Sequence, residues 1–173
     1  LPAQHRWLLA ELPRDRWSDQ TLPPVASHWL AMHQGFRQAQ AAMDQVIAAH
    51  RAGEIDAAGL HPRLIPTLGG FLQHLDGHHR IESGHYFPQF RRLEPRIQAG
   101  IDLLDRDHDA VHAHLEALAE HGRAFHQVVT SRAPAGDAAR RLAETVDRAA
   151  GPLIRHLDDE EDIVIPLMAL RFS

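Results

Sequence analysis

Apolar residues recur along this chain at intervals of three and four, in four long stretches separated by clusters of Pro, Gly and small polar residues. No stretch shows the two-residue alternation of a strand over strand length. The pattern predicts an all-α fold. A first helix begins after Thr21, with Pro23 and Pro24 in its opening turn, and ends near Gly53; Ala26, Trp29, Leu30, His33, Phe36, Gln40, Met43 and Ile47 share its inner face. A second runs from about Pro62 to Phe87 or slightly beyond, with Leu64, Leu68, Phe71, Leu75, His78, Glu82 and His85 on one stripe and Gly69-Gly70 weakening its middle. A third, from about Gly100 to Thr130, turns Ile101, Leu104, His108, Val111, His112, Leu115, Leu118 and Phe125 inward. A fourth follows the Ala133-Pro134-Ala135-Gly136 loop, is capped by Asp137, and turns Leu142, Val146, Ala149, Leu153, His156, Glu160 and Ile163 inward. The connections are short to moderate, so the expected architecture is an up-down-up-down antiparallel four-helix bundle over residues 21–173. Residues 1–20, with Trp7, Leu8, Leu9, Leu12 and Trp17, are expected to form an N-terminal arm with a short helix packed on that bundle.

Polar residues fall where the period assigns core: His33, His78, Glu82, His108, His112, His156 and Glu160. Burying an ionised carboxylate without a partner costs several kcal/mol, on the order expected for any unpaired buried charge, so two in one bundle demand positive charge beside them. Two segments repeat the same arrangement, His78-x3-Glu82 with Pro88 six residues on and His156-x3-Glu160 with Pro166 six residues on. A spacing of four sets an imidazole and a carboxylate one helical turn apart on one face, where both can ligate one metal ion. Two such pairs, supplemented by His33, His108 and His112, can hold two ions. Imidazole and carboxylate without thiolate point to iron, manganese or zinc, and a two-metal core with an odd number of His favours redox-active iron.

Composition narrows the chemistry further. The 173 residues, 44% hydrophobic, suit one soluble domain with its own core. No Cys is present, which excludes disulfides, thiolate metal sites and Cys nucleophiles. All basic residues are Arg, so there is no P-loop or Schiff-base lysine. A formal charge of -5 argues against nucleic acid as a partner, and no apolar run is long enough for a membrane span. Without a signal peptide the expected compartment is the cytoplasm, and the opening Leu1 in place of Met reads as a trimmed start.

The order His33, His78-x3-Glu82, His108-x3-His112 and His156-x3-Glu160, with the tails Tyr86-Phe87-Pro88 and Ile165-Pro166, resembles the hemerythrin-like or HHE cation-binding domain over about residues 24–170. Ferritin-like di-iron bundles use a Glu-x-x-His spacing instead. The resemblance implies two non-haem iron ions bridged by oxo or hydroxo. In it His108, His112 and His156 saturate one iron, His33 and His78 hold the other, and Glu82 and Glu160 bridge. Matching the first helix to the third pairs His33 with His108 and Arg37 with His112, so one iron lacks a ligand and has room for dioxygen, peroxide, nitric oxide or azide. Glu161 competes with Glu160 for the bridging role.

His74 and His85 read as hydrogen-bond partners or pocket lining, with closing the vacant position or donating a proton as their functional alternative. Tyr86 reads as packing, or as an electron carrier. His28, His79, His114, His121 and His126 read as surface or packing residues. The implied function is binding of a small oxidant for sensing, storage or detoxification. Its alternatives are a di-iron peroxidase or nitric oxide reductase, a redox-responsive interaction module working through the arm, and a structural zinc or manganese site. A small gaseous or peroxide ligand is the implied partner, and no protein partner is indicated.

Overall fold

The computed structural model describes residues 1–18 and 20–172; Asp19 of the expected arm and Ser173 at the end of the expected bundle lie outside the described residues. The fold is the all-α, antiparallel four-helix bundle that the periodicity predicts, with no strand among the described residues. Three 3-10 turns, Ala3–His5, Trp7–Ala10 and Arg14–Arg16, lead into α1 (Pro24–Arg51) and α2 (Ala57–Ile81). A π-helical turn, Glu82–Tyr86, carries α2 into α3 (Phe87–Leu93), and α4 (Gln98–Thr130) and α5 (Gly136–Arg171) complete the chain.

Local chemistry explains the helix ends. Pro24 opens α1, where its missing N–H would have had no intrahelical acceptor. Asp56 caps α2, its Oδ1 accepting from Gly59 N–H at 2.7 Å, which starts this helix five residues before the expected Pro62. The expected cap Asp137 lies inside α5, one residue past its start at Gly136, and pairs with Arg140 at 3.6 Å. Between α1 and α2, Gly53 takes φ +75°, and Glu54 N–H donates to Ala49 carbonyl across the last turn, the left-handed stop that glycine adopts freely. The corresponding stop after α4 falls on Arg132 at φ 58°, with Ala133 N–H donating to Val128 carbonyl at 3.1 Å. A side chain in this region costs about 1 kcal/mol or more, so Arg132→Gly should raise stability by up to about 1 kcal/mol, visible as a higher melting temperature. An unchanged or lower value would show that the turn carries no such strain.

From Ile101 on, the buried residues of α4 step 101, 104, 108, 111, 115, 118, 122, 125, and those of α1 step 26, 29, 33, 36, 40, 43, 47, the alternation of three and four that keeps one seam inward. On α2 the steps reach 82 and then jump by five to Phe87. There the Phe87 N–H donates to the Glu82 carbonyl, one residue further back than an α-helix allows. Pro88 lacks the N–H that an α-helix would aim at Gly84, and its ring crowds that carbonyl.

The chain divides into two compact units. Leu1–Gly35, His78–Asp109 and Ile154–Ser173 form one; Phe36–Gly77 and Ala110–Leu153 form the other. In the second unit Phe36 meets Phe71 edge-on at 6.4 Å, and His121 Nδ1 lies 2.7 Å from Thr145 Oγ1. A Cβ on Gly122 would come within 2.9 Å of Leu68 Cδ2 and push that methyl aside, so α4 and α2 lie close at this point. In the first unit Leu8 and Leu12 of the arm join Trp29, Phe87, Phe90, Ile101, Leu104 and Ile163 in one apolar cluster. Every residue from Glu161 to Met168 is buried, so the last turns of α5 are covered on all sides. Gly100 permits the arm to lie close, since a Cβ there would meet the His5 carbonyl oxygen at 3.3 Å and Ile163 Cδ1 at 2.9 Å.

Candidate metal centre

Beneath that apolar cluster, four helices of the first unit point imidazoles and carboxylates at one another. His33 comes from α1, His78 and His79 from the end of α2, Glu82 from the π turn, His108 from α4, and His156 and Glu160 from α5. All seven are buried, with Glu82, Glu160 and His33 at 0% exposure, which decides that no solvent offsets their polarity. The ligand atoms form two groups, His33, His78, Glu82 and Glu160 in one and His79, His108 and His156 in the other. Within each group they lie within 4.8 Å of one another.

Each carboxylate spreads its two oxygens across both groups. Glu82 Oε1 lies 2.5 Å from His78 Nε2, while Oε2 lies 3.2 Å from His108 Nε2. Glu160 Oε1 lies 3.2 Å from His33 Nε2, while Oε2 lies 3.3 Å from His156 Nε2. His33 Nε2 and His78 Nε2 face each other at 3.1 Å. Despite these short separations, His79 Nε2, both oxygens of Glu82, His108 Nε2, both ring nitrogens of His156 and Glu160 Oε2 make no hydrogen bond with protein. So many convergent lone pairs, each costly to bury unpartnered, fit cations between them better than any arrangement of protons.

Groups around the cluster turn the rings to suit. Glu161 Oε1 lies 3.0 Å from His33 Nδ1, and Ser83 Oγ lies 2.9 Å from His108 Nδ1 while donating its own proton to Asp105 Oδ1 at 2.6 Å. Asp107 Oδ2 stands 3.8 Å from His156 Nδ1. At His33 and His108 the acceptor on the Nδ1 side keeps the proton there and leaves the Nε2 lone pair aimed inward, the form a metal ion takes. Trp29 Nε1–H donates to Glu160 Oε1 at 2.6 Å and fixes that carboxylate from above.

The electrostatics repeat the message. Burial, with Glu160 alongside, pushes the Glu82 carboxyl well above the usual carboxylate range. Burial acts the same way on Glu160, but the imidazoles of His108, His156 and His33 overcome it and hold that carboxyl well below its ordinary value. Burial lowers His79 to about 2, aided by His108 and His156, and lowers His78 to about 4 against the pull of Glu160. His156 is raised to about 9 because Asp107 and Glu160 outweigh its burial. Neighbouring carboxyls are thus driven apart and two imidazoles kept neutral, which is the conflict that a divalent charge between them would remove.

Six of the seven residues expected from the sequence, His33, His78, Glu82, His108, His156 and Glu160, come together in these groups. His112 does not. Its side chain is 55% exposed and lies 3.3 Å from Glu116 and 3.8 Å from Asp76, because 112 falls one residue beyond the seam position Val111. His79, expected to pack or face solvent, stands with His108 and His156 instead, its ring stacked on His108 at 4.1 Å. The signal for it was present in the sequence: positions 78 and 79 flank the direction of position 82 one turn earlier, so each imidazole can share Glu82 from its own side. Glu160, not Glu161, belongs to the ligand group. His74 and His85 are exposed, the latter because the π turn inserts a residue and gives the inward place to Phe87. Tyr86 packs edge-on against Trp29 at 5.0 Å.

Among the described residues no helix is long and apolar enough to cross a membrane. No curated protein and no solved structure matched the chain. One family model did, the hemerythrin HHE cation-binding domain, over residues 25–168, a span that takes in most of all four long helices and every residue of both ligand groups. The chain therefore belongs to the hemerythrin HHE cation-binding domain family.

Proposed function

We propose that this protein holds two non-haem iron ions and binds dioxygen or a related small oxidant there, for sensing, storage or detoxification. The reading is carried by the two carboxylates, each of which offers one oxygen to the His33–His78 group and the other to the His108–His156 group. In it His79, His108 and His156 hold one ion, His33 and His78 the other, and Glu82 and Glu160 serve both. Iron would supply reversible redox change and a site for an exogenous ligand; the protein supplies imidazole and carboxylate donors in a buried setting. The group with two imidazoles carries one fewer nitrogen donor, so the ligand is expected on that side.

Purified protein should contain two iron ions per chain and show near-ultraviolet and visible charge-transfer absorption that shifts on addition of azide. Zinc or manganese in place of iron, or a spectrum indifferent to azide, would remove the oxidant-binding reading. His74 and His85 are exposed, so the proton delivery that a peroxidase or nitric oxide reductase needs has no support from these two residues.

A further inference from the structure

The outer edge of His33 is tied to a residue far away in sequence. Glu161 turns one oxygen to His33 Nδ1 at 3.0 Å, and its other oxygen accepts from Arg14 Nη1 at 2.9 Å. Arg14 belongs to the arm. The same guanidinium donates through Nε to Asp162 Oδ1 at 2.7 Å and through Nη2 to the Asp158 carbonyl at 2.9 Å, so all three of its nitrogens grip α5. Its carbon end lies over the Trp17 ring at 4.8 Å. The rigid fork of arginine makes this a fixed geometry that one point charge would not reproduce. A continuous line of contacts therefore runs from the arm surface through a buried carboxylate to an inward-facing imidazole.

We propose that Arg14 and Glu161 are positioning residues for His33, so that docking of the arm and metal occupancy at the His33–His78 group strengthen each other. The proposal rests on the reading that this group holds a metal ion. Its physical content is a coupling free energy. If the docked arm raises metal affinity by some factor by presetting the His33 ring, bound metal must favour the docked arm by the same factor. Partners placed just outside a ligand shell typically change metal affinity 10–100-fold, which sets the expected size. The protein thereby gains a way to report the state of a buried centre at its surface, since what metal stabilises is a short stretch of 3-10 turns.

Arg6 provides an internal control. It donates to Asp162 Oδ2 at 3.0 Å and so fastens the arm, but the line to Glu161 and His33 runs through Arg14. The test loads the full chain with 57Fe and compares wild type with Arg14→Ala, Arg6→Ala and Glu161→Gln. Chelator competition gives affinity, Mössbauer spectroscopy resolves the two irons, and hydrogen exchange reads the amides of residues 8–17 with and without iron. Arg14→Ala and Glu161→Gln are expected to weaken one iron about 10–100-fold and alter one quadrupole doublet while sparing the other. Arg6→Ala, which loosens the arm but leaves the line through Arg14 and Glu161 to His33 intact, should weaken that iron far less than Arg14→Ala does, and Arg14→Lys should restore only part of the affinity. Iron should slow exchange across residues 8–17 in wild type by a comparable factor, and this slowing should vanish in Arg14→Ala.

Wild-type affinity and spectra in both Arg14→Ala and Glu161→Gln would overturn the proposal, as would equal losses in Arg6→Ala and Arg14→Ala, or arm exchange indifferent to iron. A wild-type chain that takes up no iron sinks both this inference and the functional reading. Two irons in wild type with no response to Arg14→Ala sinks the inference alone.

Discussion

Glu160→Ala is expected to empty both halves of the centre together, dropping iron from two per chain to less than one. Glu160 is the residue that touches most of the cluster: it reaches His33 through Oε1 at 3.2 Å and His156 through Oε2 at 3.3 Å, with His108 at 3.9 Å. Removing it takes an oxygen from beside each ligand group and leaves the Trp29 N–H without its 2.6 Å acceptor. An orphaned buried donor costs about 1–3 kcal/mol, and loss of an ion present at about a hundred times its dissociation constant costs about 2.7 kcal/mol more. For a chain of this size the melting temperature should fall by roughly 10 °C or more. Glu160→Gln separates the two contributions, because the amide oxygen still accepts from Trp29 while the charge is lost. Chelator should erase most of the gap between wild type and Glu160→Gln. Full iron content in Glu160→Ala would dismiss Glu160 as a shared ligand.

The second large effect comes from comparing two histidines. His79→Ala should lose the ion of the His79–His108–His156 group, whereas His112→Ala should keep both ions and change stability by less than about 0.5 kcal/mol, as surface substitutions do. Metal analysis on the two variants decides between them. If His112→Ala loses metal and His79→Ala does not, the ligand is His112 and the assignment of His79 to the centre fails.

Most of the fold is legible in the sequence because helical periodicity and breaker residues are local signals. Polar residues on an apolar seam stand out for the same reason, and His33, His78, Glu82, His108, His156 and Glu160 all lie on it. What escapes is anything that depends on a phase error smaller than one turn. His108-x3-His112 has the spacing of a ligand pair, yet a seam that steps from 108 to 111 to 115 leaves 112 outside it. His79 is hidden by its neighbour, since a stripe drawn through His78 assigns the adjacent residue to another face. His85 is misassigned because no local pattern announces a π turn, which depends on Pro88 and on what the neighbouring helices accept. The bond from Glu161 to Arg14 joins positions 147 residues apart, beyond any pattern within one helix.

The widened turn at Glu82–Tyr86 sets the rotational phase of everything after it. An ordinary helix advances about 100° per residue, so one extra residue retards the downstream side chains by that angle relative to the ligands upstream. His78, His79 and Glu82 thereby face the cluster of imidazoles and carboxylates, while Phe87 and Phe90 face the hydrocarbon interior. Excising one residue from this turn would join the two under a single screw axis, swinging a charged or polar side chain into the oil or an aromatic ring out to water.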